Sequence, residues 1–353
     1  MKIKFIIGEA GTAKTTNIVN IAKEIKHDFI ALAFTHSACN NMIEKGMPVN
    51  KVKTLHSYFR IMPDTTFINL PKHIPKFIII DEFSLIPVDL IENIFNKLEC
   101  FETTLILSGD LLQLPPVADN SFKIDNLNLN GECSLNDAKK IFMTLGRTIL
   151  NSSYYLQSSK MLLTKNFRCG DNVMKTLNEI LETETVKLTE LDKVSSDCVF
   201  IASTYKNLKK IRKSKGVNFG KVITRVGKCE TDDNFILTKN LNENFYNGDN
   251  VKIICFNDDE CEIYNLHNSQ KAILKRDKYF DLLPCNYLTI HYAQGRGFEN
   301  VCLCVDDLFE IGMLYTGITR AKKNIYFISL INSVNVDCSD IIRPFKIMKK
   351  NIY

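Results

Sequence analysis

Gly8-Glu9-Ala10-Gly11-Thr12-Ala13-Lys14-Thr15-Thr16 follows directly on the apolar run Ile3 to Ile7 and precedes Asn17 to Ile25, whose apolar residues recur at helical spacing. A glycine-bearing turn between a strand and a helix has the context of a phosphate-binding loop. Gly8 and Gly11 let backbone N–H groups turn inward, Lys14 can reach the terminal phosphates of a nucleotide, and the Thr15 hydroxyl can ligate Mg²⁺. Thr12, Ala13 and Thr16 complete the lining. A glycine-rich turn without function is the competing reading, and strand, helix and Lys-Thr-Thr together argue against it. Such loops normally carry glycine before the lysine, where this chain has Ala13. At negative φ the methyl costs little, and at positive φ it is strained; binding should survive either way, with turnover reduced at worst.

A phosphate loop needs a facing carboxylate. Lys76 to Ile80 reads as a fully buried parallel strand that delivers Asp81-Glu82 at its carboxyl end, where α/β sheets bind ligands. There Asp81 can hold Mg²⁺ and Glu82 can orient and deprotonate a water. A third strand, Thr104 to Leu107, ends in Ser108 to Val117, SGDLLQLPPV, in which Gln113 can sense a γ-phosphate and Pro115-Pro116 stiffen the loop.

Further segments follow in order: ALAFTHSACNNM (Ala31 to Met42), KTLHSYF (Lys53 to Phe59), LTKNFRCG (Leu163 to Gly170), NGDNVKI (Asn247 to Ile253), YLTIHYAQGRGFE (Tyr287 to Glu299) and LYTGITRAKK (Leu314 to Lys323). With the phosphate loop, DEFS and GDLLQLPPV, this ordered set resembles the motifs of superfamily 1 helicases, nearest the RecD-like and PIF-type group. The resemblance implies an α/β chain of two RecA-like P-loop NTPase domains with parallel sheets, and a small β insert in the second. It implies ATP and Mg²⁺ in a cleft between the domains, Gly295 beside the nucleotide, and Arg168 and Arg320 as arginine fingers supplied by the second domain. The implied substrate is single-stranded DNA, tracked 5′ to 3′ past Thr35, His36, His56, Ser57, Thr204, Asn207, Thr289, His291 and Gln294, with Tyr292 as a stacking candidate; Phe59 could stack too but reads as a core residue. NFRCG and IHYAQG also resemble RNA helicases of positive-strand RNA viruses, whereas TLHS and GDLLQLPPV favour the DNA group. A third possibility is a degenerate nucleotide-binding module, for which Ala13 is the main reason.

The motifs place the first domain over residues 1–150, with a minimal insert near 57–75 whose Phe67 is the candidate tip of a strand-splitting pin. The polar stretch 119–136 and a helix over 137–150 are expected to bridge to a second domain over 151–353, starting near Leu162. Its insert, about 250–286, alternates apolar and polar residues as a small antiparallel unit. Lys206 to Lys215 carries six cations and no acid, as on a solvated helix face or the entry to a strand track. The chain starts at its first strand, so no upstream glutamine segment is expected to read the base.

At 353 residues, 45% apolar and 24% charged, the chain suits two ordinary domains, and a net charge of +5 permits nucleic-acid binding without requiring it. Twelve cysteines without a CxxC pair read as reduced, mostly buried thiols, with Cys302 and Cys304 insufficient for zinc. No span or signal is evident, so a cytosolic or nuclear location is expected. The Lys-, Asn- and Ile-rich composition resembles compact helicases of large DNA viruses. No internal repeat stands out.

Overall fold

The computed structural model describes residues 1–25, 28–62, 67–116, 134, 137, 140–141, 144, 149–217, 220, 222–231, 233–257, 259–308, 310–332 and 335–352. Contacts divide the chain into two compact units, Met1–Cys169 with Glu310–Tyr315 and Ser339–Tyr353, and Gly170–Phe309 with Thr316–Cys338. The division falls after Cys169, where the motifs had suggested residue 150, and the chain returns to the first unit twice.

The first unit runs β1 (Lys2–Gly8), α1 (Lys14–Ile25), β2 (Phe29–Ala33), α2 (His36–Glu44), β3 (Val52–Thr54), α3 (Leu55–Phe59), β4 (Phe77–Asp81), α4 (Val88–Leu98), β5 (Thr104–Gly109), α5 (Ser153–Gln157) and β6 (Ser159–Leu163). Its strands form one parallel sheet in the order β3-β2-β4-β5-β1-β6. Continuous apolar runs make this possible, because alternate residues leave a strand on opposite faces and a parallel sheet is covered on both. Phe5, Ile7, Ile78, Ile80, Leu105 and Leu107 enter one core with Ile91 and Ile94 of α4. Ile6, Ile79 and Ile106 enter the other with Ile18 and Val19 of α1 and Met42 of α2. β6 differs: Ser159 to Leu162 are exposed, as an edge strand tolerates.

Phe59 is fully buried in the first core, the packing role its sequence context suggests. Phe67 is 59% exposed. The expected polar stretch 119–136 and helix 137–150 fall almost entirely outside the described residues.

The second unit continues with α6 (Asp171–Thr183), β7 (Thr185–Val186), β8 (Val199–Ala202), α7 (Tyr205–Ser214) and a hairpin of β9 (Val222–Thr224) and β10 (Gly227–Cys229). Next come β11 (Asn234–Leu237), β12 (Asn250–Phe256), β13 (Glu260–Asn265), β14 (Lys271–Lys275), β15 (Leu282–Pro284), β16 (Tyr287–Thr289), α8 (Ile290–Ala293), β17 (Phe298–Cys304), α9 (Ile311–Ile318), β18 (Ala321–Ile328), β19 (Val336–Asp337) and α10 (Ser339–Ile352). A parallel sheet β16-β8-β17-β18 is accompanied by an antiparallel sheet β14-β13-β12-β11-β15, and α9 and α10 carry the returns to the first unit. The insert expected over 250–286 therefore begins earlier, at β11, whose four-residue NFIL run is too short to be recognised as a strand on its own. Cys39, Cys198, Cys229, Cys261, Cys302, Cys304 and Cys338 are buried free thiols, while Cys100 and Cys255 are exposed. Among the described residues no helix is long and apolar enough to cross a membrane.

Candidate functional site

In the first unit, β1 lies between β5 and β6, and at its carboxyl end the chain turns through Glu9 to Ala13 into α1. Gly11 has φ +84°, and a Cβ there would stand 2.5 Å from Asn166 Oδ1, so only glycine fits. Ala13 has φ +58°, the strained alternative, at a cost of about 1–2 kcal/mol for its Cβ. Thr12 Oγ1 donates to Glu9 O at 2.8 Å. The buried Lys14 Nζ donates to Gly8 O and Glu9 O, each at 2.8 Å, contacts it must exchange to serve a phosphate. Thr15 is buried and Thr16 exposed at the start of α1.

Side chains distant in sequence brace this loop. Asn166 Nδ2 donates to Ala10 O (3.1 Å) and Phe167 N to Gly11 O (2.8 Å). The Tyr315 hydroxyl accepts from Ala10 N (2.8 Å) and donates to Asp110 Oδ2 (3.1 Å). Asp110, fully buried, also accepts from Leu112 N and from Gln113 Nε2, both at 3.0 Å. Gln113 is thereby tied to the loop through Asp110 and Tyr315. Lys349 of α10 pairs with Glu9 at 2.7 Å. Motif reading did not single out Asn166, Asp110 or Tyr315. A buried Asp behind a strand end was the available signal for Asp110, but its Tyr315 partner is 205 residues away.

Asp81 ends β4 almost fully buried. Its Oδ1 accepts from Glu82 N at 3.0 Å, while its buried Oδ2 has no hydrogen-bond partner among the described residues. Glu82 is half-buried and, like Ala13, sits in the left-handed region, at φ +52°. Lys45, after α2, was not anticipated. Burial lowers its pKa, Arg168 and Lys14 push the same way, and Asp81 and Glu82 oppose them, so it shares their field.

Arg168 belongs to the first unit, beside the loop: a Cβ on Gly11 would lie 3.0 Å from Arg168 Cβ. Supply from a second domain, as expected for both arginines, is corrected for this one, because β6 pairs with β1 and Asn166 and Phe167 bond the loop. Arg320 does lie in the second unit but is fully buried, its guanidinium donating to Thr316 O (3.0 Å), Arg296 O (3.1 Å) and Thr319 Oγ1 (3.1 Å). Gly295, also in the second unit, has φ +76° with open space where a Cβ would go.

The remaining residues occupy two matched rims. In the first unit Ala33 pairs with Thr54; Thr35, two residues past Ala33, caps α2 by accepting from Ala38 N, and Thr54 caps α3 by accepting from Ser57 N. In the second unit Ala202 pairs with Thr289; Thr204, two residues past Ala202, caps α7 by accepting from Asn207 N, and Thr289 caps α8 by accepting from Tyr292 N. A histidine follows two residues after each inner threonine, His56 in Thr-Leu-His-Ser and His291 in Thr-Ile-His-Tyr. This internal correspondence escaped the sequence reading because only two short tetrapeptides express it. Thr35 and Ser57 are exposed; His36, His56, Thr204, His291 and Gln294 are half-buried. His56 sits 5.2 Å from the Phe34 ring, and burial lowers its pKa, favouring the neutral imidazole. Asn207 faces inward instead, its buried amide donating to Asp307 Oδ2 at 3.1 Å, and Tyr292 spends its hydroxyl on Thr238 O.

A family model described as an AAA domain matches residues 1–119. An uncharacterized protein of Methanocaldococcus jannaschii is 25% identical over 452 residues, covering 97% of this chain and 38% of the relative. The RecD subunit of the RecBCD enzyme of Buchnera aphidicola is 24% identical over 417 residues, covering 91% and 69%. The chain thus spans well under half of the archaeal relative and about two thirds of the bacterial one. Neither organism is a virus, and the viral provenance suggested by composition gains nothing from them. Among solved structures, Pif1 from Bacteroides bound to single-stranded DNA superposes with a TM-score of 0.64, and Pif1 helicase from Bacteroides with ADP-AlF3 and single-stranded DNA with 0.62. Each is 20% identical and covers 94% of this chain and 89% of that chain. This chain therefore has the Pif1 fold, α/β with parallel sheets in two RecA-like units.

Proposed function

We propose that this chain is an ATP-dependent helicase or translocase of the Pif1/RecD type, acting on single-stranded DNA with 5′-to-3′ polarity. The observation that carries the reading is the meeting, at the carboxyl edge of one parallel sheet, of a phosphate loop with a buried Asp81 oxygen that has no hydrogen-bond partner among the described residues. One carboxylate, one hydroxyl and nucleotide phosphates are a donor set that suits Mg²⁺, so Thr15 and Asp81 fit that ion, which would offset charge on the phosphates. The similarity to proteins whose structures hold ADP-AlF3 and single-stranded DNA supports the same substrates here.

In this reading Lys14 leaves its loop carbonyls for the β and γ phosphates. Glu82 takes a proton from the water that attacks the γ-phosphorus; the bond to the bridging oxygen breaks, and ADP and inorganic phosphate leave. Gln113 orients that water or the γ-phosphate. Arg168, and Lys45 with it, offset charge developing on the phosphate from within the first unit; Arg320 is the further arginine finger that the motif resemblance implies. Phe167, 65% exposed and bonded through its backbone to Gly11, offers a ring for the nucleotide base. The two threonine and histidine rims take strand phosphates, and Phe67 is the candidate pin. One observation, the strained Ala13, favours a second reading, in which nucleotide is bound but hydrolysed slowly or not at all.

The test is ATP hydrolysis with Mg²⁺, alone and with DNA or RNA oligomers. Stimulation by single-stranded DNA is expected. Stimulation by RNA alone would reassign the polymer, and a folded protein that binds ATP without turnover would favour the second reading.

A further inference from the structure

Of the six cations between Lys206 and Lys215, two turn inward. Arg212 Nη2 donates to Val217 O (2.8 Å) and Lys228 O (2.7 Å) with its guanidinium 4.6 Å above the Tyr287 ring, and Lys215 Nζ donates to Leu191 O and Val194 O. These two fasten α7 in place. The other four, Lys206, Lys209, Lys210 and Lys213, are all exposed. Their spacing of i, i+3, i+4 and i+7 puts them on one helix face, a stripe about 10 Å long at 1.5 Å per residue. Among the described residues none of the four has a hydrogen-bond or ion-pair partner. Like charges at this spacing destabilise a helix, and among the described residues no carboxylate pairs with them.

The place of the stripe in the fold says what relieves them. α7 starts at Thr204, at the rim where Ala202 and Thr289 pair, and packs its Leu208 and Ile211 face on β8 and β16. The lysines thus run from the rim down the outer side of the second unit. We propose that they form a secondary binding surface for the phosphate backbone of a DNA strand continuing beyond the rim. A strand that occupies the rim alone leaves the stripe untouched; a longer one lies along it and places phosphates opposite the ammonium groups. This inference rests on the DNA-binding reading above and adds a path that the rim residues do not define.

The test compares the parent protein with a variant carrying Lys206→Gln, Lys209→Gln, Lys210→Gln and Lys213→Gln, and with one carrying arginine at the same four positions. Binding of thymidine oligomers of about 8 and about 20 nucleotides is measured over a salt series. All four positions are exposed, and thermal melting checks that the fold is unchanged. For the longer oligomer the glutamine variant is expected to bind about tenfold more weakly at low salt, with a salt slope shallower by about 2–3, since each phosphate contact on a single strand contributes about 0.7. Its affinity for the short oligomer should stay within twofold, and the arginine variant should match the parent on both. An unchanged affinity and slope for the long oligomer overturns the proposal, as does an equal loss for both lengths. Failure of the parent to bind either oligomer is a separate result that sinks the DNA-binding reading itself.

Discussion

Two strained residues, Ala13 at φ +58° and Glu82 at φ +52°, stand at the phosphate loop and the facing carboxylates. Ala13→Gly removes a Cβ from a left-handed position but adds freedom to the unfolded chain. The expected net gain is about 0.5–1 kcal/mol, read from thermal or urea unfolding, with ATP turnover equal or faster. A loss of stability would mean the loop is not built as described. Tyr315→Phe leaves Ala10 N and Asp110 Oδ2 short of a partner in a buried place, costing about 1–3 kcal/mol. In the proposed function that hydroxyl acts by shaping the loop, so the variant should raise KM for ATP more than it lowers kcat. Glu82→Gln should retain ATP binding while hydrolysis falls by about 10²–10⁴, the usual worth of a general base. Lys14, Thr15, Asp81 and Glu82 were legible in the sequence because each sits at a fixed step from a strand end. Asp110, Asn166, Tyr315 and Lys45 were not, because their importance lies in contacts that only the folded chain creates.

At the scale of elements, capping connects stability with binding. Thr54 and Thr289 hold the amide groups that start α3 and α8, so alanine at either should cost about 1 kcal/mol. In the proposed function the same change should weaken oligonucleotide binding, and substitution at both rims should do so more than at one. Equal binding by the double variant would remove the rims from the strand track. In the same reading His56, whose burial favours the neutral imidazole, would contact the strand by hydrogen bonding, so His56→Gln should leave the salt slope of binding intact. The buried strands β1, β4 and β5 were legible from continuous apolar runs. β6 and β11 were not: β6 is exposed along most of its length and β11 has four residues, and neither presents a periodicity that distinguishes it from a loop.

For the molecule as a whole, the ordered motifs anticipated two RecA-like units, and the chain has that fold. They misassigned Arg168, which stays with the first unit because β6 carries it there, and they did not show that Glu310–Tyr315 and Ser339–Tyr353 return to that unit. Returns of this kind leave no mark on local sequence. In the proposed function ATP hydrolysis drives movement along one DNA strand. The most direct measurement is displacement of streptavidin from biotin placed at either end of a single-stranded oligonucleotide, with and without ATP. ATP-dependent release from the 3′ end, abolished by Lys14→Ala, is expected. Displacement from the 5′ end alone would reverse the polarity, and no ATP-dependent displacement from either end, by a folded protein that binds the strand, would mean that hydrolysis does not drive movement along DNA.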